Sequence, residues 1–133
     1  MRVAVVGSRD VPDMENCEAL ILSHLPAGCS EIVSGGAAGV DAAARDAAKK
    51  LGLRFTCFLP DYERYGRSAP LERNKEIARY ADGVLALWNF ASRGTRHTLL
   101  QALARGKPVK IVDLQTGKVV ESDGQEHRGG APE

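Results

Sequence analysis

The sequence has almost no excess of charge of either sign. Among its 133 residues, 18 are Lys or Arg and 17 are Asp or Glu, which gives a formal net charge of +1. A chain without an overall basic excess is not expected to bind nucleic acid or a membrane through general attraction, whereas a small, specific anion remains compatible. We therefore expect a small-molecule ligand, no membrane partner, and nucleic acid as a disfavoured partner.

Cysteine is scarce, and neither cysteine nor histidine shows the spacing of a metal site. The cysteines contain no C-x-x-C pair, which argues against a disulfide framework or a zinc site and suits a reducing compartment. The residues concerned are Cys17, Cys29, Cys57, His24, His97 and His127. We expect no bound metal and assign these side chains no functional role.

Long apolar runs are also missing. None approaches the roughly 18 residues of a membrane span, and the N-terminus lacks a signal-peptide layout, so we expect a cytoplasmic protein. The 44% hydrophobic content is sufficient for a single domain that buries about two thirds of its unfolded surface.

Short apolar segments alternate with helical patterns over residues 1 to 114. Strands that are apolar on both faces predict a parallel sheet covered on both sides. The predicted strands are at about 2 to 6, 31 to 34, 54 to 59, 83 to 88 and 108 to 114. Helices are predicted within 12 to 25, after the second strand, at about 69 to 81, and from about 94 to 106. The fold class is therefore α/β, a three-layer Rossmann-like open parallel sheet with five main strands and helices on both faces.

The predicted strand order is 3-2-1-4-5. Ligands of such sheets bind at the carboxyl ends of the strands, where the strand order reverses, and strands one, two and four are the ones that end in glycine-rich loops. We expect residues 1 to 114 to form one domain built on this sheet. Residues 115 to 133 are expected to be a polar C-terminal tail, with one possible short edge strand near Lys118 to Val120.

Three loops combine glycine, small hydroxyl residues and arginine before a helix. Glycine lets a ligand approach the backbone closely, and the helix N-terminus offers free N–H groups and a partial positive charge. Phosphate is the group that such loops bind. The loops are Gly7-Ser8-Arg9, Ser34-Gly35-Gly36-Ala37-Ala38-Gly39 and Ser92-Arg93-Gly94-Thr95.

Several of these candidates have two interpretations. The Gly35 to Gly39 loop either approaches a ligand or forms a tight turn against a closely packed helix. Asp41 either faces a ribose or simply suits the positive end of its helix. Trp88 either stacks on a base or packs in the core.

Asn74 is a polar residue within an apolar helical stripe. The other members of that stripe are Leu71, Ile77, Ala78 and Ala81. Asn74 must find hydrogen-bond partners, so it either clamps local backbone or reaches with Arg73 toward the ligand crevice. Arg9 and Arg93 are further candidates for bidentate binding of phosphate. The full predicted ligand-binding set is Gly7, Ser8, Arg9, Ser34, Gly35, Gly36, Ala37, Gly39, Asp41, Arg73, Asn74, Trp88, Ser92, Arg93, Gly94 and Thr95.

The combination of these motifs resembles the SLOG superfamily, and most of all its YspA-like branch. The resemblance covers residues 1 to about 114 and rests on the three loops together with Val40-Asp41, Arg73-Asn74 and Ala81-Asp82. Relatives in this superfamily include the Lonely-guy phosphoribohydrolases and the DprA proteins. The resemblance implies a Rossmann-like fold that binds a nucleotide or nucleotide-derived ligand such as an ADP-ribose-type compound, and by analogy a homodimer.

One departure from the enzymes divides the functional hypotheses. Thr98 stands where the Lonely-guy loop carries the glutamate used for N-glycosidic cleavage, and threonine supplies neither a base nor a negative charge. The first hypothesis is therefore a binding module that acts as a sensor, carrier or sequestering protein. The alternative is a nucleoside 5′-monophosphate phosphoribohydrolase, or another nucleotide hydrolase, with a displaced carboxylate from Asp41, Asp61 or Glu63. Asp61, 22 positions after Gly39, also approximates the spacing of a dinucleotide-binding acid.

Overall fold

A computed structural model describes residues 1–122 of the chain. Its six strands form one sheet in the order β3-β2-β1-β4-β5-β6. They are β1 (Arg2–Gly7), β2 (Glu31–Ser34), β3 (Arg54–Cys57), β4 (Gly83–Trp88), β5 (Val109–Asp113) and β6 (Val119–Ser122). The α/β class and the order of the first five strands are confirmed, and these five are parallel.

The sixth strand makes the sheet mixed rather than wholly parallel. It pairs antiparallel with β5 after a turn at about residues 114 to 116. A tight turn can only connect antiparallel neighbours, so a strand this close in sequence to β5 must run the opposite way. It lies within the segment predicted as the polar tail. The rest of that tail, including His127, is outside the described residues.

Within residues 1–122, five α-helices accompany the sheet. They are α1 (Met14–His24), α2 (Val40–Leu51), α3 (Tyr62–Tyr65), α4 (Ala69–Tyr80) and α5 (Arg93–Ala104), with a 3-10 turn at Gly66–Ser68. The sequence did not predict α3 because four residues are too few to show helical periodicity. Its start is fixed by Asp61, whose side chain accepts a hydrogen bond from the Arg64 amide at 3.1 Å.

Two apolar layers hold the helices against the sheet. On one face, Val3, Val5 and Ile32 pack with buried residues of α1 and α2. On the other face, Ala4, Val6 and Val33 pack with buried residues of α4 and α5. The alternation along β1 and β2 places successive side chains on opposite faces, which gives the predicted three layers.

Some residues predicted to point inward are exposed. Leu51 and Leu71 keep 49% and 46% of their surface accessible, because each lies in a terminal turn of its helix, so the inward stripes are shorter than predicted. Strand β3 is not apolar on both faces: two of its four residues are exposed, as its edge position leaves it with one neighbour. Among residues 1–122, no helix is long and apolar enough to cross a bilayer.

The topology brings three strand ends together. Strand β1 lies between β2 and β4, and the Cα partner of Gly7 is Leu87, one residue before β4 ends. The loops after β1, β2 and β4 therefore leave the same edge of the sheet side by side.

Candidate functional site

A cavity of about 400 Å³ opens at this edge of the sheet. Eleven of the sixteen predicted ligand-binding residues line it: Gly7, Arg9, Gly35, Gly36, Ala37, Asp41, Arg73, Asn74, Ser92, Gly94 and Thr95. Five do not: Ser8, Ser34, Gly39, Trp88 and Arg93. The three loops thus share one cavity, although some of their residues serve the protein's own packing.

The loop after β1 is tied to β4 by Ser8. The Ser8 side chain is buried, and its Oγ accepts a hydrogen bond from the Asn89 amide at 3.0 Å. Its own amide donates to the Leu87 carbonyl at 3.2 Å. Ser8 therefore positions the loop, while the neighbouring Arg9 is exposed and borders the cavity.

Gly39 approaches the protein's own backbone closely. Its φ is +70°, and a Cβ at this position would meet the carbonyl groups of Ser8 and Arg9. The next amide, that of Val40, donates to the Ser8 carbonyl at 3.1 Å. Glycine is required here because α2 packs closely against the β1 loop. At Gly39, the interpretation as a tight turn against a closely packed helix therefore applies.

The loop after β2 has several of its polar groups bound within the chain. The Ala37 amide donates to Asp41 Oδ2 at 2.9 Å, and the Gly36 amide donates to Ser34 Oγ at 3.3 Å. The Gly35 carbonyl accepts a hydrogen bond from Arg73 Nη1 at 2.7 Å, an approach that a Cβ on Gly35 would block. A loop that resembles an open phosphate cradle in sequence is therefore partly filled by the chain itself.

The charged group bound by this loop is the carboxylate of Asp41, a residue in the first turn of α2. Burial raises the pKa of its carboxyl above the ordinary value, and the Ala37 amide and the Arg73 guanidinium oppose that shift only in part. Of the three carboxylates considered from the sequence, Asp41 alone lines the cavity. Asp61 instead caps α3, and Glu63 is exposed outside the cavity, so Asp61 does not take the position expected of a dinucleotide-binding acid.

Arg73 and Asn74 connect the β2 loop to the start of α5. Arg73 Nε donates to Asn74 Oδ1 at 3.0 Å, while Asn74 Nδ2 lies 3.5 Å from the Gly94 carbonyl and 3.2 Å from His97 Nδ1. Asn74 is buried, and the network gives it the partners that burial demands. Both residues bind backbone carbonyl groups and also line the cavity. The two interpretations of Asn74, as a clamp on local backbone and as a residue of the ligand crevice, are therefore compatible.

His97, to which no role was assigned, takes part in this network. Burial, with a smaller contribution from nearby Lys75, lowers the pKa of the His97 imidazole. The neutral ring can accept the Asn74 hydrogen bond, which a doubly protonated ring could not. The imidazole thus supports the orientation of Asn74.

The first turn of α5 borders the cavity with unpaired donors. Ser92 Oγ accepts from the Thr95 amide at 3.3 Å and from Thr95 Oγ1 at 2.9 Å, which caps the helix. The amides of Arg93 and Gly94 precede the first intrahelical hydrogen bond. Gly94 has open space where a Cβ would be, whereas the Arg93 side chain is exposed outside the cavity.

Trp88 supports this turn from outside the cavity. Its indole Nε1 donates to the Ser92 carbonyl at 3.1 Å, and its ring lies 4.8 Å from that of Phe90. The core interpretation of Trp88 is therefore the one that the geometry favours.

Sequence reasoning missed one wall of the cavity. It is formed by Leu59, Pro60, Tyr62 and Pro70. Leu59 and Tyr62 keep 67% and 61% of their surface exposed. The sequence did contain a signal for this wall, because the third parallel strand ends at the same edge of the sheet. The prediction left this strand end out of the site because no glycine follows it. Within the described part of the chain, no group of three His, Cys, Asp or Glu side chains could hold a metal ion.

The comparisons with known proteins agree with this fold. The family model of DNA recombination-mediator protein A matches residues 1–62. The structure of TM1055 matches with 27% identity and a TM-score of 0.63, over 81% of this chain and 71% of that one. These matches confirm the SLOG resemblance.

Two further structures share the α/β Rossmann-like fold. DNA processing protein A from Streptococcus pneumoniae is 24% identical, with a TM-score of 0.68, over 87% of this chain and 53% of that one. The molybdenum cofactor binding protein from Rippkaea orientalis is 23% identical, with a TM-score of 0.63, over 86% of this chain and 78% of that one. The chain therefore spans about half the length of the pneumococcal protein. No curated protein matches it.

Proposed function

We propose that this chain binds a nucleotide or nucleotide-derived phosphorylated ligand in the cavity at the carboxyl ends of β1, β2 and β4. The observation that carries the proposal is that one cavity of about 400 Å³ joins all three strand exits with two arginines and an exposed aromatic side chain. This volume falls within the range of small-molecule sites and exceeds what a lone phosphate needs. The role is that of a sensor, carrier or sequestering module.

The phosphate is assigned to the side of the cavity formed by α5 and the β1 loop. The unpaired amides at the start of α5 favour an anion, and Arg9 can pair with phosphate oxygens. Arg73 adds positive charge to the same cavity, although it is bound to the Gly35 carbonyl. Arg9 and Gly94 are the proposed phosphate contacts, and Thr95, whose amide and Oγ1 are bound to Ser92 Oγ, lines the same cavity.

The base is assigned to the wall that carries Leu59 and Tyr62. Large apolar side chains so exposed beside a charged cavity are typical of surfaces that a ligand covers. Tyr62 takes the stacking role considered for Trp88. The name of the Rippkaea relative, a molybdenum cofactor binding protein, is in keeping with a phosphorylated heterocycle as ligand.

A second candidate is hydrolysis of the N-glycosidic bond of a nucleoside 5′-monophosphate. The observation in its favour is that Asp41, a partly buried carboxylate with a raised pKa, lines the cavity. A carboxylate of this kind can stabilise an oxocarbenium-like transition state or activate water. Against it, Thr98 borders the cavity where the related enzymes carry glutamate, and its hydroxyl donates to the Gly94 carbonyl.

Thermal unfolding of the purified protein with a ligand panel tests these alternatives. The panel contains ribonucleoside mono-, di- and triphosphates, ADP-ribose, NAD, cyclic dinucleotides, inorganic phosphate and a short single-stranded DNA. A ligand at 100 times its dissociation constant should add roughly 2.7 kcal/mol and raise the midpoint by several degrees. Chromatography of the same mixtures detects any free base.

The outcomes distinguish the binding module from the hydrolase. A shift with a nucleotide and no product supports the binding module, and release of free base supports the hydrolase. A shift with DNA alone, or with no compound in the panel, would contradict both. Native mass spectrometry of the same sample tests the homodimer that we expect by analogy.

A further inference from the structure

The glycine loop after β2 already binds an anion of the protein itself, the Asp41 carboxylate. Asp41 Oδ2 accepts the Ala37 amide at 2.9 Å, the Gly36 amide is bound to Ser34 Oγ, and Arg73 is bound to the Gly35 carbonyl. The Gly36 and Ala37 amides and the Arg73 guanidinium, which could otherwise hold a phosphate here, already have partners within the chain. A phosphate placed on this loop would also meet the Asp41 carboxylate, and two like charges in a partly desolvated cavity repel each other strongly.

What this end of the cavity offers a ligand is an acceptor. A carboxylate that borders a cavity binds hydroxyl or amine donors, and a hydrogen bond to a charged group is among the stronger ones available. The helix α5 end has the opposite character, because its first-turn amides are donors. The two ends of the cavity therefore call for different groups of one ligand.

The arrangement of the walls restricts what the donor is. With the phosphate at α5 and the base at Leu59 and Tyr62, the group that remains for the β2 loop is the sugar. Leu59 packs over Gly36, since a Cβ on that glycine would lie 2.8 Å from Leu59 Cδ2. The base wall, which follows β3, is thus in contact with the β2 loop that Asp41 binds through the Ala37 amide.

We propose that Asp41 accepts hydrogen bonds from the ribose hydroxyls of the ligand and makes the site selective for ribonucleotides over deoxyribonucleotides. This inference rests on the proposed function, because it assigns the sugar subsite of the same cavity. Asp41 is here a specificity-determining residue, and the β2 loop is a sugar site rather than a phosphate site.

The test compares 5′-ribonucleotides with their 2′-deoxy and 3′-deoxy counterparts by isothermal titration calorimetry. Wild-type protein should bind a ribonucleotide roughly tenfold or more tightly than at least one deoxy counterpart, which is the loss expected when a hydrogen bond to a charged group is removed. In Asp41→Asn the ratio should fall toward one. Asp46→Asn is the matched control, because Asp46 is exposed on α2 outside the cavity, and it should keep the wild-type ratio.

The outcomes separate this inference from the function on which it rests. Equal affinity of wild-type protein for the ribo and both deoxy forms would overturn the assignment of Asp41 and leave nucleotide binding intact. No binding of either form would overturn both. The comparison of ligands on wild-type protein needs no variant, so it decides the matter even if Asp41→Asn does not fold. A ratio that persists in a folded Asp41→Asn protein would also contradict the inference.

Discussion

Arg73 of α4 lines the cavity and donates a hydrogen bond from Nη1 to the Gly35 carbonyl at 2.7 Å. Its Nε donates at the same time to the side chain of Asn74, so one guanidinium joins the β2 loop to α4. The position is part of the protein's own framework as well as of the candidate site.

Arg73→Met should therefore weaken both folding and ligand binding. It removes charged hydrogen bonds to groups that are partly buried, and we expect a loss of about 1–3 kcal/mol in the free energy of unfolding. Urea denaturation measures the loss. Arg79→Met is the control, since the Arg79 side chain is exposed on the same helix.

The nucleotide-induced thermal shift distinguishes the two roles of Arg73. We expect the shift to fall sharply in Arg73→Met and to persist in Arg79→Met. If Arg73→Met is destabilised yet binds the ligand with unchanged affinity, Arg73 serves the framework alone, and its assignment to the ligand site is wrong.

Gly39 and Gly52 allow a test of close packing at a positive φ. Their φ angles are +70° and +69°, but ψ is −124° at Gly39 and 29° at Gly52, and a Cβ would meet the Ser8 and Arg9 carbonyl groups at Gly39 and open space at Gly52. Gly52→Ala should cost roughly 1 kcal/mol, the strain of φ alone. Gly39→Ala should cost several times as much, on the order of 3 kcal/mol or more.

Chemical denaturation of the two variants decides the point. Similar losses in Gly39→Ala and Gly52→Ala would mean that the β1 loop yields easily, and that Gly39 is not required by the packing of α2. A Gly39→Ala protein that does not fold at all, beside a folded Gly52→Ala, is the extreme form of the expected result.

Gly39 and Asp41 also mark the limit of what the sequence predicts. Apolar periodicity and the position of glycine are local properties, and they were enough for the strand order and for bringing the three loops to one edge. Whether a glycine admits a ligand or the β1 backbone, and whether a loop amide binds phosphate or Asp41, depends on contacts between loops far apart in sequence. The Leu59 and Tyr62 wall was missed for a similar reason: the exit of the third strand at the same edge is a property of the sheet, and the local sequence there has no glycine to mark it.

Asp41 predicts a pH dependence of stability. Because burial raises the pKa of this carboxyl in the folded state, the unfolded chain ionises first as the pH rises. Ionisation of Asp41 therefore disfavours folding, and this penalty is absent below the unfolded pKa and develops as the pH rises through the folded pKa. Relative to wild type, Asp41→Asn should gain stability as the pH is raised from about 4 toward 7.

Urea denaturation of both proteins across this pH range provides the measurement, and the difference between them removes the contribution of other titrating groups. Asp46→Asn should show no such trend, because Asp46 is exposed. A difference between Asp41→Asn and wild type that falls with rising pH would mean that Arg73 and the Ala37 amide outweigh burial, and that the sign assigned to the shift is wrong.

Tyr62 tests the base wall separately from the phosphate site. The ring is exposed, so Tyr62→Ala should leave the free energy of unfolding nearly unchanged. Loss of stacking on a base is worth about 1–3 kcal/mol, or roughly 5- to 150-fold in nucleotide affinity. Tyr62→Phe keeps the ring and should keep most of the affinity, while Tyr65→Ala, in the same short helix but outside the cavity, is the control for loss of an aromatic side chain.

Because the wall is assigned to the base alone, the affinity for ribose 5-phosphate should be the same in Tyr62→Ala as in wild type. An equal loss for ribose 5-phosphate and for the nucleotide would place Tyr62 at the sugar or phosphate and leave the base without its proposed contact.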